Sequence, residues 1–214
     1  AESSLAPFRL GLTATLERPD GRHELLDHAV GPVVYSKGIK ELAGHYLAAY
    51  EVVRIRVELE PDELAAYQEA RSTYRAFVNS KGIRFHSSQQ WTEFIKISSR
   101  SNAGRTAMKA YNHARQIALS SPSKLRELEL ILRRHARDRA IVFTNDNATV
   151  YAISSRFLLP AITHKTPASE RKEILARFNG GQYPCIVSSR VLNEGVNVPE
   201  ANVGIVLSGT GSVR

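Results

Sequence analysis

Short apolar runs alternate with helix-length amphipathic segments from Ser121 to Leu207, and this alternation constrains the fold more than any other feature of the sequence. Four runs have the length of buried strands: residues 141–143, 161–163, 185–188 and 203–207. Helical patterns separate them and begin at Ser121-Pro122, Asn147 and Thr166-Pro167. Strands joined by helices of this length pair in parallel, with helices on both faces of the sheet. This part of the chain therefore predicts an α/β fold.

Residues 1–60 predict shorter and more isolated elements. Apolar runs over 9–13 and 33–35 indicate two short strands, with a helix over 22–30 between them. Residues 36–50 have the character of a linker with some helical content. Residues 51–60 alternate apolar and charged side chains, which predicts a half-exposed strand.

The excess positive charge of the chain is concentrated in one block. The net charge is +8, and residues 71–119 contain nine Lys or Arg against a single acid, Glu93, so the remaining residues are electrically balanced. Helical spacing runs from Pro61 to Gly82, a polar and irregular stretch covers 83–106, and a second helical stretch follows. Residues 61–120 are therefore predicted to form a basic, mostly helical insertion that binds a polyanion.

The composition excludes several classes of protein. The single cysteine, Cys185, lies in an apolar run that predicts an inert core position, and one cysteine forms no internal disulfide or Cys-ligated metal cluster. The seven histidines show no metal-ligand spacing, so no metal site is predicted. No apolar run reaches the roughly 18 residues that span a bilayer. We expect a cytoplasmic protein, or a nuclear one in a eukaryote, with no membrane partner.

Four motifs stand in an order that is typical of one superfamily. Leu10-Gly11-Leu12-Thr13-Ala14-Thr15 comes first, and Ile141-Val142-Phe143-Thr144 follows. Ile162 to Pro167 with Glu170-Arg171 comes next, and Val187 to Val203 is last. In this order they resemble motifs III, IV, the loop that holds the nucleic-acid backbone, and motif V of superfamily 2 helicases.

The wording of these motifs is similar to that of the XPB (Rad25) DNA helicases, particularly the archaeal ones. The similarity lies in Leu10 to Thr15 with Arg18 and Asp20-Gly21-Arg22, in residues 201–204 and in residues 208–214. The family implies an ATP-driven 3′ to 5′ DNA helicase or translocase of repair or transcription, with DNA, ATP, Mg²⁺ and proteins such as a nuclease as partners. It implies RecA-like domains with a basic thumb inserted in the second one, which matches the basic block.

The resemblance also implies a domain layout. Residues 1–35 would end a first RecA-like domain, 36–50 would link, 51–60 with 121–214 would form the second RecA-like domain, and 61–120 would be the thumb. The phosphate-binding Gly-Lys-Ser/Thr loop and the acidic magnesium motif would precede Ala1, and the arginine motif VI would follow Arg214. We therefore expect a C-terminal part of a longer helicase that hydrolyses no ATP alone.

The predicted site residues follow from their place in these motifs or in the basic block. Thr13, Ala14 and Thr15 would couple the nucleotide state to DNA movement, and Glu194, Gly195 and Asn197 would border the nucleotide. The predicted DNA-binding residues are Arg18, Asp20, Arg84, Lys96, Arg100, Arg105, Thr166, Ser189 and Arg190. Two departures from the family pattern stand out: Pro19 lies within the family's Arg-Glu-Asp triplet, and asparagines, Asn193 and Asn197, stand where motif V has an aspartate.

Several other interpretations remain open at this point. A non-catalytic DNA-binding module with a RecA-like core, or an RNA-remodelling helicase, would share most of these patterns. Gly209-Thr210-Gly211 opens a dinucleotide fingerprint, but Arg214 stands where glycine or alanine is required. His164 has the position of a packing or capping residue. Three aromatic side chains of the insertion are candidates either for base stacking or for its core: Phe85, Trp91 and Phe94.

Overall fold

The computed structural model describes residues 7–13, 24–38, 41, 44, 48–85, 88–189, 192 and 198–208. One compact unit spans residues 56–209, and the amino-terminal residues up to position 55 belong to another. In the amino-terminal unit, helix α1 covers Glu24–Ala29. The Arg9 guanidinium donates a 2.8 Å hydrogen bond to the carbonyl of Ala29.

The larger unit contains a parallel four-stranded sheet, which confirms the predicted fold class. The strands are β1 (Ala140–Phe143), β2 (Ala161–Ile162), β3 (Cys185–Ser188) and β4 (Val203–Val206), in the spatial order β2-β3-β1-β4. All three pairings are parallel, and Ala140 pairs with Cys185 on one side and Val203 on the other. Helices α5 (Pro122–Arg134), α6 (Asn147–Phe157) and α7 (Ala168–Asn179) connect or precede the strands.

Apolar side chains cover both faces of this sheet. On one face, Leu128 of α5 and Ile153 of α6 pack with Val142 and Val187. On the other face, Phe178 of α7 packs with Ile141 and other isoleucines of the strands. Val142, Val187 and Phe178 are wholly buried. The strands read as continuous apolar runs because both of their faces are covered, which is the pattern of a parallel sheet between helices.

The basic block folds into three helices, which we call the helical insert. They are α2 (Pro61–Ser80), α3 (Ser88–Ser99) and α4 (Asn102–Ser120). A cluster of aromatic rings lies between them, with Phe94 fully buried at its centre and the Trp91 and Tyr111 ring centroids 4.8 Å apart. The insert therefore has a core of its own.

Three predicted strands are wrong. Residues 9–13, 33–35 and 51–60 are extended or irregular, and most of their side chains are exposed. A strand requires a neighbour to pair its backbone groups, and within the described residues these segments pair with no other strand. The predicted irregular stretch 83–106 is also partly wrong, because it contains helix α3. Part of the predicted linker 36–50 lies outside the described residues.

The remaining helix boundaries agree with the sequence except at the start of α7. Proline opens both α2 and α5, and the Ser121 hydroxyl caps α5 by accepting a 3.3 Å hydrogen bond from the Lys124 amide. Helix α6 ends at Leu158, which has a left-handed backbone with φ 54° although it is not glycine. Helix α7 starts without the expected cap from Thr166, since no side chain caps it.

Candidate nucleic-acid interface

Hydroxyl side chains line the carboxyl edge of the sheet, the edge where parallel α/β folds bind their ligands. They lie at the ends of all four strands and are buried: Thr144 after β1, Thr163 after β2, Ser188 and Ser189 at the end of β3, and Ser208 after β4. Buried hydroxyls require hydrogen-bond partners. Those partners determine how the loops at this edge are arranged.

The loop after β1 is joined to both of its neighbouring strands. The Thr144 amide donates to the Ser188 carbonyl at 2.9 Å, and the Asn145 amide donates to the Ser208 hydroxyl at 2.9 Å. Asp146 then caps α6, since its carboxylate accepts from the Thr149 amide at 2.9 Å and from the Thr149 hydroxyl at 3.0 Å. The motif IV-like segment is thus fixed by contacts from β3, β4 and α6.

The loop after β2 is a tight turn held by its two threonines. The Thr163 amide donates to the Thr166 hydroxyl oxygen at 2.9 Å, and the Thr166 amide donates to the Thr163 carbonyl at 3.1 Å. The Lys165 amide donates to the Thr163 hydroxyl oxygen at 3.2 Å. Thr166, a predicted DNA contact, is half-buried, while His164 and Lys165 at the tip of the turn are exposed. The turn therefore presents its tip to solvent on a rigid base.

Side chains from α6 and α7 brace this turn. Asn147 Nδ2 lies 2.8 Å from His164 Nδ1, and the Tyr151 hydroxyl lies 3.2 Å from the Thr163 hydroxyl. Arg171 donates long hydrogen bonds of 3.5 and 3.4 Å to the carbonyls of Thr163 and Thr166. The sequence did not single out Asn147 or Tyr151. Their only sequence signal is their four-residue spacing, which places both on one face of α6.

The end of β3 holds the first residues of the motif V-like segment. Ser188 Oγ lies 3.0 Å from the Ile162 carbonyl and 2.9 Å from the Ser189 carbonyl. The Ser189 amide donates to the same Ile162 carbonyl at 3.3 Å. Ser189, a predicted DNA contact, is only 5% exposed. The ends of β2 and β3 are therefore hydrogen-bonded to each other.

The four predicted DNA-binding side chains of the helical insert are exposed. Arg84 follows α2, Lys96 lies on α3, and Arg100 and Arg105 lie at and after the turn between α3 and α4. The Arg105 guanidinium donates to the Ser99 carbonyl at 3.2 Å and to the Asn102 side chain. These contacts hold the Arg105 side chain against the turn between α3 and α4.

The aromatic side chains of the insert divide into core and surface. Phe94 has no exposed area, Trp91 is half-buried, and Phe85 is 40% exposed. Phe85 contacts both others, with ring centroids 6.0 Å from Trp91 and 5.8 Å from Phe94. Phe94 is therefore a core residue, and of the three candidates for stacking on a base, Phe85 is the most accessible.

The remaining predicted site residues divide between one exposed position and a group that the structure does not describe. Thr13 is exposed. The others lie outside the described residues: Ala14, Thr15, Arg18, Asp20, Arg190, Glu194, Gly195 and Asn197. In the described part of the chain, no three His, Cys, Asp or Glu side chains come close enough together to hold a metal ion. No helix there is long and apolar enough to cross a membrane.

Comparisons with known proteins agree with this architecture. Residues 122–214 match the family described as the helicase conserved C-terminal domain. The helicase domain of Hef from Pyrococcus furiosus has a similar fold, with a TM-score of 0.56 and 15% identity over 89% of this chain and 56% of that one. The sheet and its flanking helices thus define the RecA-like C-terminal domain of a superfamily 2 helicase.

Relatives of known name specify the family further. The whole chain is 40% identical to the DNA 3′-5′ translocase XPB2 of Sulfurisphaera tokodaii, over 49% of that protein. It is 27% identical over 203 residues to the DNA 3′-5′ helicase XPB of Kineococcus radiotolerans, over 29% of that protein. These matches confirm the resemblance seen in the motifs, since the chain is similar to the C-terminal region of XPB-type superfamily 2 helicases. It spans about half the length of the first relative and less than a third of the second.

Proposed function

We propose that this chain is the C-terminal half of an ATP-dependent 3′ to 5′ DNA helicase or translocase of repair or transcription. The observation that carries the proposal is the match along the entire chain, at 40% identity, to a protein named a DNA 3′-5′ translocase. The rigid turn after β2 and the exposed cations of the helical insert support DNA as the ligand. Repair or transcription proteins, a nuclease among them, are proposed partners on the family resemblance alone.

ATP would bind between the two RecA-like domains of the intact protein. Bound ATP supplies the γ-phosphoryl group whose loss drives movement, and Mg²⁺ neutralises its phosphates. We propose that Glu194, Gly195 and Asn197 border the nucleotide. The sequence contains no Gly-Lys-Ser/Thr loop. We therefore expect the 214-residue chain to hydrolyse no ATP above background, and turnover that survives repurification and is lost in Asn197→Ala would contradict this.

Thr13 and Thr15 are proposed to couple hydrolysis to movement. In the intact protein, replacing both by alanine should leave DNA-stimulated ATP hydrolysis largely intact while strand separation falls, because the hydroxyls relay a conformational state. Equal losses of hydrolysis and unwinding would instead place the threonines in the catalytic or folding machinery.

DNA binding by the helical insert can be tested with this chain alone, without the rest of the intact protein. If about three to five basic side chains contact phosphates, the slope of log affinity against log salt should be roughly −2 to −5. Replacing Arg84, Lys96, Arg100 and Arg105 by Glu should abolish binding of a labelled duplex, measured by fluorescence anisotropy. Fluorescence of Trp91, the single tryptophan, reports whether the insert remains folded.

A matched control separates local contacts from net charge. Arg133, Arg134, Arg137 and Lys172 are also exposed but lie outside the insert. Reversing these four charges changes the net charge by the same amount and should weaken binding far less. Equal losses in the two variants would show that only net charge matters, and unchanged affinity in the first would remove the insert from the DNA path and point to Thr166, Ser189 and Arg190.

A further inference from the structure

The helical insert begins at one helix start and is followed by another, and these two helix starts are in contact. Helix α2 begins at Pro61 and helix α5 begins at Pro122, so the whole helical insert lies between these two positions in the sequence. Glu63, in the first turn of α2, is only 8% exposed although it is a carboxylate. Acidic side chains are almost never buried unless they are paired. The hydrogen-bond partners of the Glu63 carboxylate therefore indicate its structural role.

Both oxygens of the Glu63 carboxylate are engaged at the start of α5. Oε1 accepts from the Ser123 amide at 2.9 Å, and Oε2 accepts from the Ser123 hydroxyl at 2.5 Å. Oε2 also accepts from the Glu60 amide at 3.0 Å, which closes a capping box with Glu60 on its own helix. One side chain thus satisfies amide groups at the start of two helices that are 60 residues apart in sequence.

Arg126 completes the cluster from the next turn of α5. Its guanidinium donates to the Ser123 hydroxyl at 3.1 Å and forms a 2.9 Å ion pair with Glu60. Burial alone would raise the pKa of Glu63. The hydrogen bonds from Ser123 and Glu60 and the charge of Arg126 outweigh burial and hold the pKa below its ordinary value. The carboxylate is therefore charged at neutral pH, and each helix start favours a negative charge.

We propose that Glu63 is a positioning residue: it clamps the entry and exit of the helical insert and so fixes the angle at which the insert presents its basic surface. The part of this inference that concerns DNA rests on the proposed function above. Within the cluster, Glu63 is the only side chain that bonds to the main chain of both helix starts. Removing it leaves the Arg126 and Glu60 ion pair, which is exposed and contributes little.

The clamp is tested by measuring the angle directly. Spin labels on cysteines at positions 112 and 137, both exposed, report the distance between α4 and the loop before β1 in a Cys185→Ala background. We expect one narrow distance distribution in the parent. Glu63→Ala should broaden it, and Glu63→Gln should give an intermediate width because the amide oxygen still accepts from the Ser123 amide. Glu69→Ala, at an exposed position of the same helix, is the matched control and should change nothing.

If Glu63 only stabilised the fold, its replacement would lower the free energy of unfolding without broadening the distance distribution of the folded molecules. If Glu63→Ala does not fold, as Trp91 fluorescence would show, Ser123→Ala serves instead, since it removes one of the hydrogen bonds to the carboxylate. A distribution as narrow as that of the parent in the folded variants overturns the clamp.

DNA affinity separates the clamp from the proposed function. Loss of preorganisation should weaken duplex binding about tenfold in Glu63→Ala while the salt slope stays the same, because the same phosphates are contacted. A broadened distribution with unchanged affinity overturns the role of the angle in DNA binding and supports the clamp alone. Failure of the proposed function appears separately, as unchanged affinity in the charge-reversal variant of the insert.

Discussion

The backbone of Gly104 in α4 packs closely against that of Ser98 in α3, and replacement of Gly104 by alanine tests the packing of the helical insert. A Cβ atom at this position would lie 2.5 Å from the Ser98 carbonyl oxygen and 2.6 Å from the Ser98 Cα. Both are backbone atoms, so no side-chain rotation relieves the contact. Gly104 is buried in the first turn of α4, where its amide donates to the Ser101 cap at 3.0 Å. The two helices must therefore move apart.

The size of the effect follows from two opposing terms. Extra volume in a packed core costs about 1–3 kcal/mol. Replacing glycine by alanine in a helix recovers at most about 1 kcal/mol, and less in a first turn. Because the clash is with backbone, we expect Gly104→Ala to destabilise the insert by about 1–2 kcal/mol. Urea unfolding followed by the fluorescence of Trp91 measures this, since Trp91 lies in the aromatic cluster beside α3 and α4.

Gly204→Ala is the matched control. A Cβ atom there would have its nearest neighbour, a ring carbon of Phe143, at 3.9 Å, which is an ordinary contact. This second variant should unfold at the parent's urea concentration or slightly above it. If Gly104→Ala were as stable as the parent, the close approach of the two helices would be refuted.

Three further predictions concern single side chains. Leu158 is 89% exposed with φ 54°, so Leu158→Gly should raise stability by about 1 kcal/mol in thermal unfolding, whereas Leu158→Ala keeps the strained backbone and should not. Burial raises the pKa of the Cys185 thiol to about 12, so the native chain should not react with a thiol reagent that labels the urea-unfolded chain readily. The pKa of Glu63 is lowered on folding, so its contribution to stability is present above the unfolded pKa near 4.5 and is lost as the pH falls through the folded pKa. Glu63→Gln should therefore flatten the dependence of the unfolding free energy on pH in this acidic range. An unchanged pH dependence would refute the assignment.

The strands of the sheet could be predicted because they are buried on both faces and therefore appear in the sequence as continuous apolar runs. Runs such as 141–143 and 185–188 are apolar at every position or nearly so, and helix signals with proline or a cap stand between them. The strands predicted over 9–13 and 33–35 also rested on short apolar runs, and the strand predicted over 51–60 rested on alternation of apolar and charged residues. These predictions fail because a strand needs a partner, which a local pattern does not supply, and none of the three segments pairs with another strand among the described residues.

The helical insert shows the opposite difficulty. Helix α3 was missed because its sequence is mostly polar, with Trp91 and Phe94 as its main apolar anchors. The Glu63 clamp joins residues 60 positions apart, and the contact of Asn147 with His164 joins the start of α6 to the loop after β2. Contacts of this kind depend on how helices pack, and a single sequence carries no signal for them beyond the residue types. The family resemblance predicts a thumb over residues 61–120 and carries no information about the contacts that hold it in place.

The hydrogen bonds of the turn after β2 also bear on how it would meet a phosphate. The Thr166 hydroxyl oxygen accepts from the Thr163 amide. A hydroxyl that accepts in this way has its own hydrogen directed elsewhere, and hydrogen bonds in a chain strengthen one another. A phosphate oxygen accepts hydrogen bonds only, so the DNA contact predicted at Thr166 would use that hydrogen, with the exposed Lys165 beside it supplying charge. Thr166→Val would then lose both the phosphate contact and the internal bond that shapes the turn, whereas Thr166→Ser would keep both.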